Sequence, residues 1–352
     1  MAEFSAVWRA LAALLCSDST EAEVPLARGF TVTAHRIGLF AFLNLYAEQL
    51  LERLYADEMA PVRPLVDKLY DTRLTLYGGD SLRHHFLEHS RNCVTKQMPL
   101  EEARRVIHST PRYHLVSQLL RLLFQPRQPI AAPSTRYALA VHARRGDKLF
   151  AKGRERIALP SADLLARTAI RLLGTIRRPA VLIASDDGPF ASEFARILRR
   201  GAPGVRVEVQ ATNLSSHHQC DASCIPPLQA LVVSFSRAGR LLVSLRSNMG
   251  GYLLASWSGL NGRSTPPPFV DLDGRVKDDA LGDRYFCSLR WGSRAGLCAP
   301  GERFDRMASC TAQASPKVVE CCANATAARV LACRACPRTP PVCSARIYDR
   351  DA

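Results

Sequence analysis

Between residues 137 and 257 the chain alternates short apolar runs with longer amphipathic stretches, and nothing else in it constrains the fold as strongly. The spacing predicts strands over 137–143, 180–185, 205–210 and 240–244, and helices over 161–173, 189–200, 227–238 and 248–257. Strands separated by helices of this length are joined by right-handed crossovers. The expectation is therefore an α/β unit: a parallel sheet with helices on both faces, Rossmann-like in its order of elements.

Upstream, residues 36–58 carry Ile37, Phe40, Leu43, Leu45, Leu50, Leu51 and Leu54 at helical spacing, and the pattern ends before Pro61 and Pro64. Shorter helical stretches follow at 100–109 and 113–124. A Pro-punctuated segment over 125–133 reads as an interdomain connection. Residues 4–16 are mostly apolar but interrupted by Arg9, and they are fewer than the roughly 20 needed to cross a bilayer. They read as a degenerate signal sequence or as an amphipathic first helix, so a membrane enters only through a degenerate or missing N-terminal anchor. The expected organisation is an N-terminal domain over 1–133, a Rossmann-like domain over 134–262, and a Pro-rich connection with a tail over 263–352. A single further strand is expected at 269–272.

A length of 352 residues accommodates two domains of about 150 residues each. With 47% hydrophobic and 22% charged residues, the chain is neither disordered, collagen-like nor a coiled coil. Lys+Arg 47 against Asp+Glu 32 gives a net charge of +15, which points to acidic partners such as phosphates. Only six of those cations are Lys, however, and an Arg- and Ala-heavy sequence also arises from coding bias; both readings stay open. A basic nucleic-acid-binding protein is the alternative from a different class. It is not the expectation, because aromatic residues are only 7% and no basic run with interleaved aromatics or zinc-finger spacing is present.

Of twelve cysteines, eight (Cys287, Cys298, Cys310, Cys321, Cys322, Cys333, Cys336 and Cys343) fall in the last 66 residues. Cys333 and Cys336 have the spacing of half a zinc site, but no second pair stands where a zinc ribbon needs it. A disulfide-linked tail is the expectation, with no metal. Disulfides require an oxidising compartment, and the acceptor sequences Asn213-Leu-Ser215 and Asn324-Ala-Thr326 are compatible with one.

In an open parallel sheet a ligand sits beyond the carboxyl ends of the strands, and three of the loops there are chemically loaded. The first is His142-Ala-Arg144-Arg145-Gly146-Asp147-Lys148. Paired guanidiniums can grip a diphosphate, Lys148 adds a point charge, and Asp147 can hold an arginine in place. The second is Ser185-Asp186-Asp187-Gly188, whose carboxylates can accept from guanine or from ribose hydroxyls. The third leads through Ser247 and Asn248 into Gly250-Gly251, where the N–H groups of a helix start favour an anion. Each also has a plainer reading: solvated surface arginines, and Asp186-Asp187 as a helix cap with Pro189 in the first turn. Arg145-Gly146-Asp147 matches an adhesion tripeptide, but it leaves a buried strand rather than an exposed loop tip.

The run Ala138-Leu-Ala-Val-His142-Ala-Arg-Arg-Gly-Asp147 resembles the His-x-Arg-Arg-x-Asp motif of the α1,2-, α1,6- and protein O-fucosyltransferase superfamily. Residues 181–187 and 242–250 resemble its second and third motifs, in order and spacing, over about a third of the chain. The resemblance implies a GT-B-like architecture of two Rossmann-like domains facing a cleft, the first on the acceptor side and the second holding GDP-fucose. It implies transfer of fucose to a glycan or glycoprotein acceptor, with inversion and with neither metal nor cofactor, in the Golgi or endoplasmic reticulum lumen. It assigns Arg144 to the β-phosphate, with Arg145 and Lys148 in support. His142 with Asp186 or Asp187 falls near the nucleoside, and Ser247 and Asn248 fall at the diphosphate. The sequence departs from the pattern where α1,6-type members carry an acidic base, because Lys152 stands there. Glu155 is the nearest carboxylate and the first candidate base, with His35 second. A catalytically inactive relative that only binds is a further alternative.

Overall fold

The computed structural model describes residues 2–16, 39–55, 69, 71, 73, 79, 81–87, 98–110, 112–145, 160–211, 222–244, 247–264 and 266–272. In chain order the elements are α1 (Ala2–Cys16), α2 (Leu39–Tyr55), α3 (Leu100–Ser109), α4 (Arg112–Leu123), β1 (Leu139–Ala143), α5 (Ala162–Leu173), β2 (Ala180–Ser185), α6 (Gly188–Gly201), β3 (Arg206–Ala211), α7 (Ile225–Ser236), β4 (Leu241–Val243), α8 (Asn248–Leu260) and β5 (Phe269–Asp271). The five strands form one sheet in the order β3-β2-β1-β4-β5, and every neighbouring pair is parallel. This is an α/β architecture consistent with a Rossmann-like fold.

The three central strands are buried along their whole length, which is why they read as unbroken apolar runs and not as alternating ones. Their side chains still divide between two faces. Leu139, Val141, Val181, Ile183 and Leu242 pack with α5 and α6 in one core. Ala140, Leu182, Ala184, Leu241 and Val243 belong to the other, with α7, α8 and the N-terminal helices.

Local chemistry sets the helix boundaries. Ser161 caps α5 by accepting from Leu164 N at 3.2 Å, leaving one fewer orphan donor. Helix α7 begins two residues before the sequence places it, because Pro226 fits a first turn, where no N–H is needed. Helix α8 runs three residues beyond the expected end. It closes at Asn261, whose Nδ2 donates to Ser236 O and Trp257 O, both at 2.9 Å. Tyr137, expected in the first strand, makes only an isolated bridge to Ala238, and β4 is shorter at both ends than the expected 240–244.

The N-terminal helices are joined to the sheet by packing. A Cβ on Gly259 would stand 2.3 Å from Ser117 O, so only glycine allows α4 and α8 to approach this closely. In α1, Val7, Ala10, Leu11 and Leu14 are buried at i, i+3, i+4 and i+7, so residues 2–16 form an amphipathic helix built into the core. No helix among the described residues is long and apolar enough to cross a membrane. Residues 124–136 connect α4 to β1 without a helix or an extended strand, yet one buried cluster runs from Val7 to Phe269 across this connection. Among the described residues there is one sheet, and those of 1–133 contribute helices to it. The cysteine-rich tail and both glycosylation acceptors, Asn213 and Asn324, lie outside the described residues.

Candidate functional site

Among the described strands the order has one switch point, where an open parallel sheet offers its crevice. After β1 the chain turns to α5 on one face, and after β4 it turns to α8 on the opposite face, so the carboxyl ends of these adjacent strands part over a gap. His142 pairs in register with Val243, which places the residues that follow both strands side by side.

The start of α8 forms one wall. Ser247 N donates to Ser244 O at 3.1 Å, turning the chain sharply after β4. A Cβ on Gly250 would stand 2.0 Å from Ser244 O, so the first turn of α8 can lie on the strand end only because residue 250 is glycine. Ser247 is the N-cap residue in extended conformation, but its hydroxyl makes no cap bond. At 2% exposure, its Oγ has no hydrogen-bond partner among the described residues. A serine here ordinarily satisfies one of the helix's first N–H groups. The Ser247 side chain does not cap them, and the positive end of the helix lies at this strand end.

β1 supplies the other wall. His142 is 5% exposed, and its Nδ1 also lacks a partner among the described residues. Desolvation, reinforced by the positive charge of Arg144, lowers its pKa to about 3. The imidazole is therefore neutral at physiological pH and acts through hydrogen bonds, not charge. Arg144, half-buried at the strand end, carries the positive charge.

A third buried polar group comes from α2. Asn44 is 2% exposed; its Nδ2 donates to Asn248 O at 2.7 Å, and its Oδ1 has no partner among the described residues. Sequence reasoning passed over this residue because it lies within a helix read as core. The available signal was one amide between Leu43 and Leu45 on an apolar stripe.

The second expected loop is organised differently. Asp186 Oδ1 accepts from Arg145 N at 2.7 Å. Asp187 Oδ2 accepts from Arg145 Nε at 3.3 Å, and its Oδ1 caps α6 by accepting from Phe190 N at 3.0 Å. Arg145 Nη1 donates to Pro160 O at 2.9 Å, and the guanidinium lies 4.1 Å from the centre of the Phe190 ring. Ser185 Oγ donates to Ala143 O at 2.6 Å and accepts from Asp187 N at 3.1 Å. The plainer reading, a helix cap with Pro189 in the first turn, is the one the structure displays for Asp187. Arg145 and the two aspartates thus latch the loop after β1 to the loop after β2. Arg145 orients the strand end, and Asp186 keeps one carboxylate oxygen outside the latch.

Of the expected site residues, His142, Arg144, Ser247 and Asn248 come together around the β1–β4 crevice, and Arg145, Asp186 and Asp187 adjoin it at β1–β2. Asp147, Lys148, Lys152, Glu155 and His35 lie outside the described residues. Comparison of the chain with protein-family models and with curated protein sequences finds no match.

Proposed function

We propose that the chain is a glycosyltransferase that holds GDP-fucose across the β1–β4 crevice and transfers fucose to a glycan or glycoprotein, within a GT-B-like arrangement whose acceptor side is the segment over 1–133. The observation that carries this reading is the meeting, at a topological switch point, of Arg144, the start of α8 and buried polar atoms without partners among the described residues. Each such atom costs about 1–3 kcal/mol when left unmet, an expense that a ligand bound there removes.

In the proposed reaction the acceptor oxygen attacks the anomeric carbon, the bond from that carbon to the β-phosphate oxygen breaks, and GDP leaves with the bonding electrons. Arg144 and the first N–H groups of α8 stabilise the negative charge on the departing diphosphate. The acceptor hydroxyl gives its proton to a base, for which Glu155 and His35 are the candidates. Arg145 holds Arg144 in place through the latch, and the outward oxygen of Asp186 accepts from guanine N–H. The disulfide formed by Cys224 supports an oxidising compartment such as the endoplasmic reticulum or Golgi lumen.

A thermal-shift series with GDP, UDP, ADP and CMP tests the reading. GDP at a hundred times its dissociation constant is expected to stabilise the chain by about 2.7 kcal/mol, with much smaller shifts from the others at the same concentration. Equal stabilisation by UDP or ADP would count against Asp186 as the base reader. No stabilisation by any nucleotide, combined with salt-steep binding of DNA or RNA, would favour the nucleic-acid alternative.

A further inference from the structure

The amide of Asn44 can be oriented by chemistry alone. Its neighbour at 2.7 Å is a carbonyl oxygen, Asn248 O, so the atom facing it must be the NH₂ group; the flipped amide would set two acceptors against each other. Oδ1 is thereby fixed beside the first turn of α8, buried and without a partner among the described residues. An amide oxygen only accepts. An ionised phosphate also only accepts, so the diphosphate that suits Arg144 and the helix start cannot satisfy Oδ1. The group that meets it must bring a proton, and next to a diphosphate the ligand's protons are on hydroxyls. Ser247 Oγ and the neutral His142 ring, both buried and both with an unmet atom, add neutral polar partners and no charge.

We propose that Asn44 is a positioning residue of the nucleotide-sugar site, its Oδ1 accepting a hydrogen bond from a ligand hydroxyl while its Nδ2 holds the start of α8. This assignment rests on the nucleotide-sugar reading above. It gives the helical layer a direct part in ligand binding, since α2 reaches the site from outside the sheet. The hydroxyl comes from one of two sources, the ribose or the transferred sugar.

Binding calorimetry on the full chain separates them. GDP, its 2′,3′-dideoxy analogue and GDP-fucose are titrated into wild type, Asn44→Ala and Asn44→Ser, with folding checked by unfolding midpoint. Loss of one buried hydrogen bond is expected to weaken GDP-fucose by about five- to a hundredfold in either variant, because serine is too short to reach. If the ribose supplies the hydroxyl, GDP weakens equally and the dideoxy analogue does not. If the sugar supplies it, GDP-fucose alone weakens. Should alanine and serine both impair folding, the ligand arm remains: wild type binds the hydroxyl-bearing ligand more tightly than its partner lacking that group, by the same factor. Equal weakening of all three ligands would reduce Asn44 to a structural tie, and no change would leave its oxygen to a water; either overturns the proposal. Wild type binding none of the three overturns the nucleotide reading itself, and this inference with it.

Discussion

Arg144→Lys is expected to remain folded and to lose transfer by about 10²–10³-fold, the scale seen when one donor to a developing negative charge is removed. Lysine keeps the charge but not the planar fork that meets two phosphate oxygens at once, so the loss measures geometry and not net charge. The neighbouring Arg145→Lys is expected to act differently. Arg145 is held by Asp187, Pro160 and Phe190, so its replacement loosens the loop after β1 and lowers the unfolding midpoint together with activity. Steady-state transfer rates alongside thermal unfolding separate the two. Full activity in Arg144→Lys would reassign the first loop to structure.

The second large effect is on stability against pH. His142 is held neutral in the fold with a pKa lowered to about 3, against about 6.5 unfolded. Between those values the unfolded chain binds the proton and the folded chain does not. Its contribution is therefore intact above pH 6.5 and is lost progressively as the pH falls toward 3. From pH 7 to pH 4.5 this one group is expected to remove a few kcal/mol, on the order of RT ln 10 for each pH unit below the unfolded value. Carboxylates titrate over the same range, so the measurement is a comparison: denaturant unfolding at both pH values for wild type and for His142→Asn, which cannot take up the proton. Wild type is expected to lose a few kcal/mol more than the variant on acidification, on the order of what a lowered histidine pKa implies. Parallel pH profiles would show that His142 is not buried as a neutral ring.

The sheet was legible because strands buried on both faces have no polar alternation to hide them, and because each is followed by a helix long enough for a crossover. Their ends were less so. Whether Tyr137 joins β1 depends on the neighbouring strand, which the run 137–143 does not contain, and Pro226 moved the start of α7 by fitting where proline is tolerated. At the site, the sequence showed which charges stand at strand ends but not how they pair. Asp186 and Asp187 read both as nucleoside ligands and as a helix cap; with β2 beside β1, Arg145 engages one oxygen of each, Asp187 caps α6, and the second oxygen of Asp186 is the one assigned to guanine in the proposed site. Asn44 shows the opposite failure. Its importance comes from contact with Asn248, 204 positions away, and no local pattern encodes that.

In the proposed site the diphosphate lies between the end of β1 and the start of α8. The most direct measurement is a crystal structure of the chain grown with saturating GDP. Phosphate oxygens are expected about 3 Å from the Arg144 guanidinium and from the first backbone N–H groups of α8. GDP bound elsewhere with this crevice unchanged, for instance in the apolar pocket that Phe40, Phe124 and Tyr252 line between the helices, would contradict it.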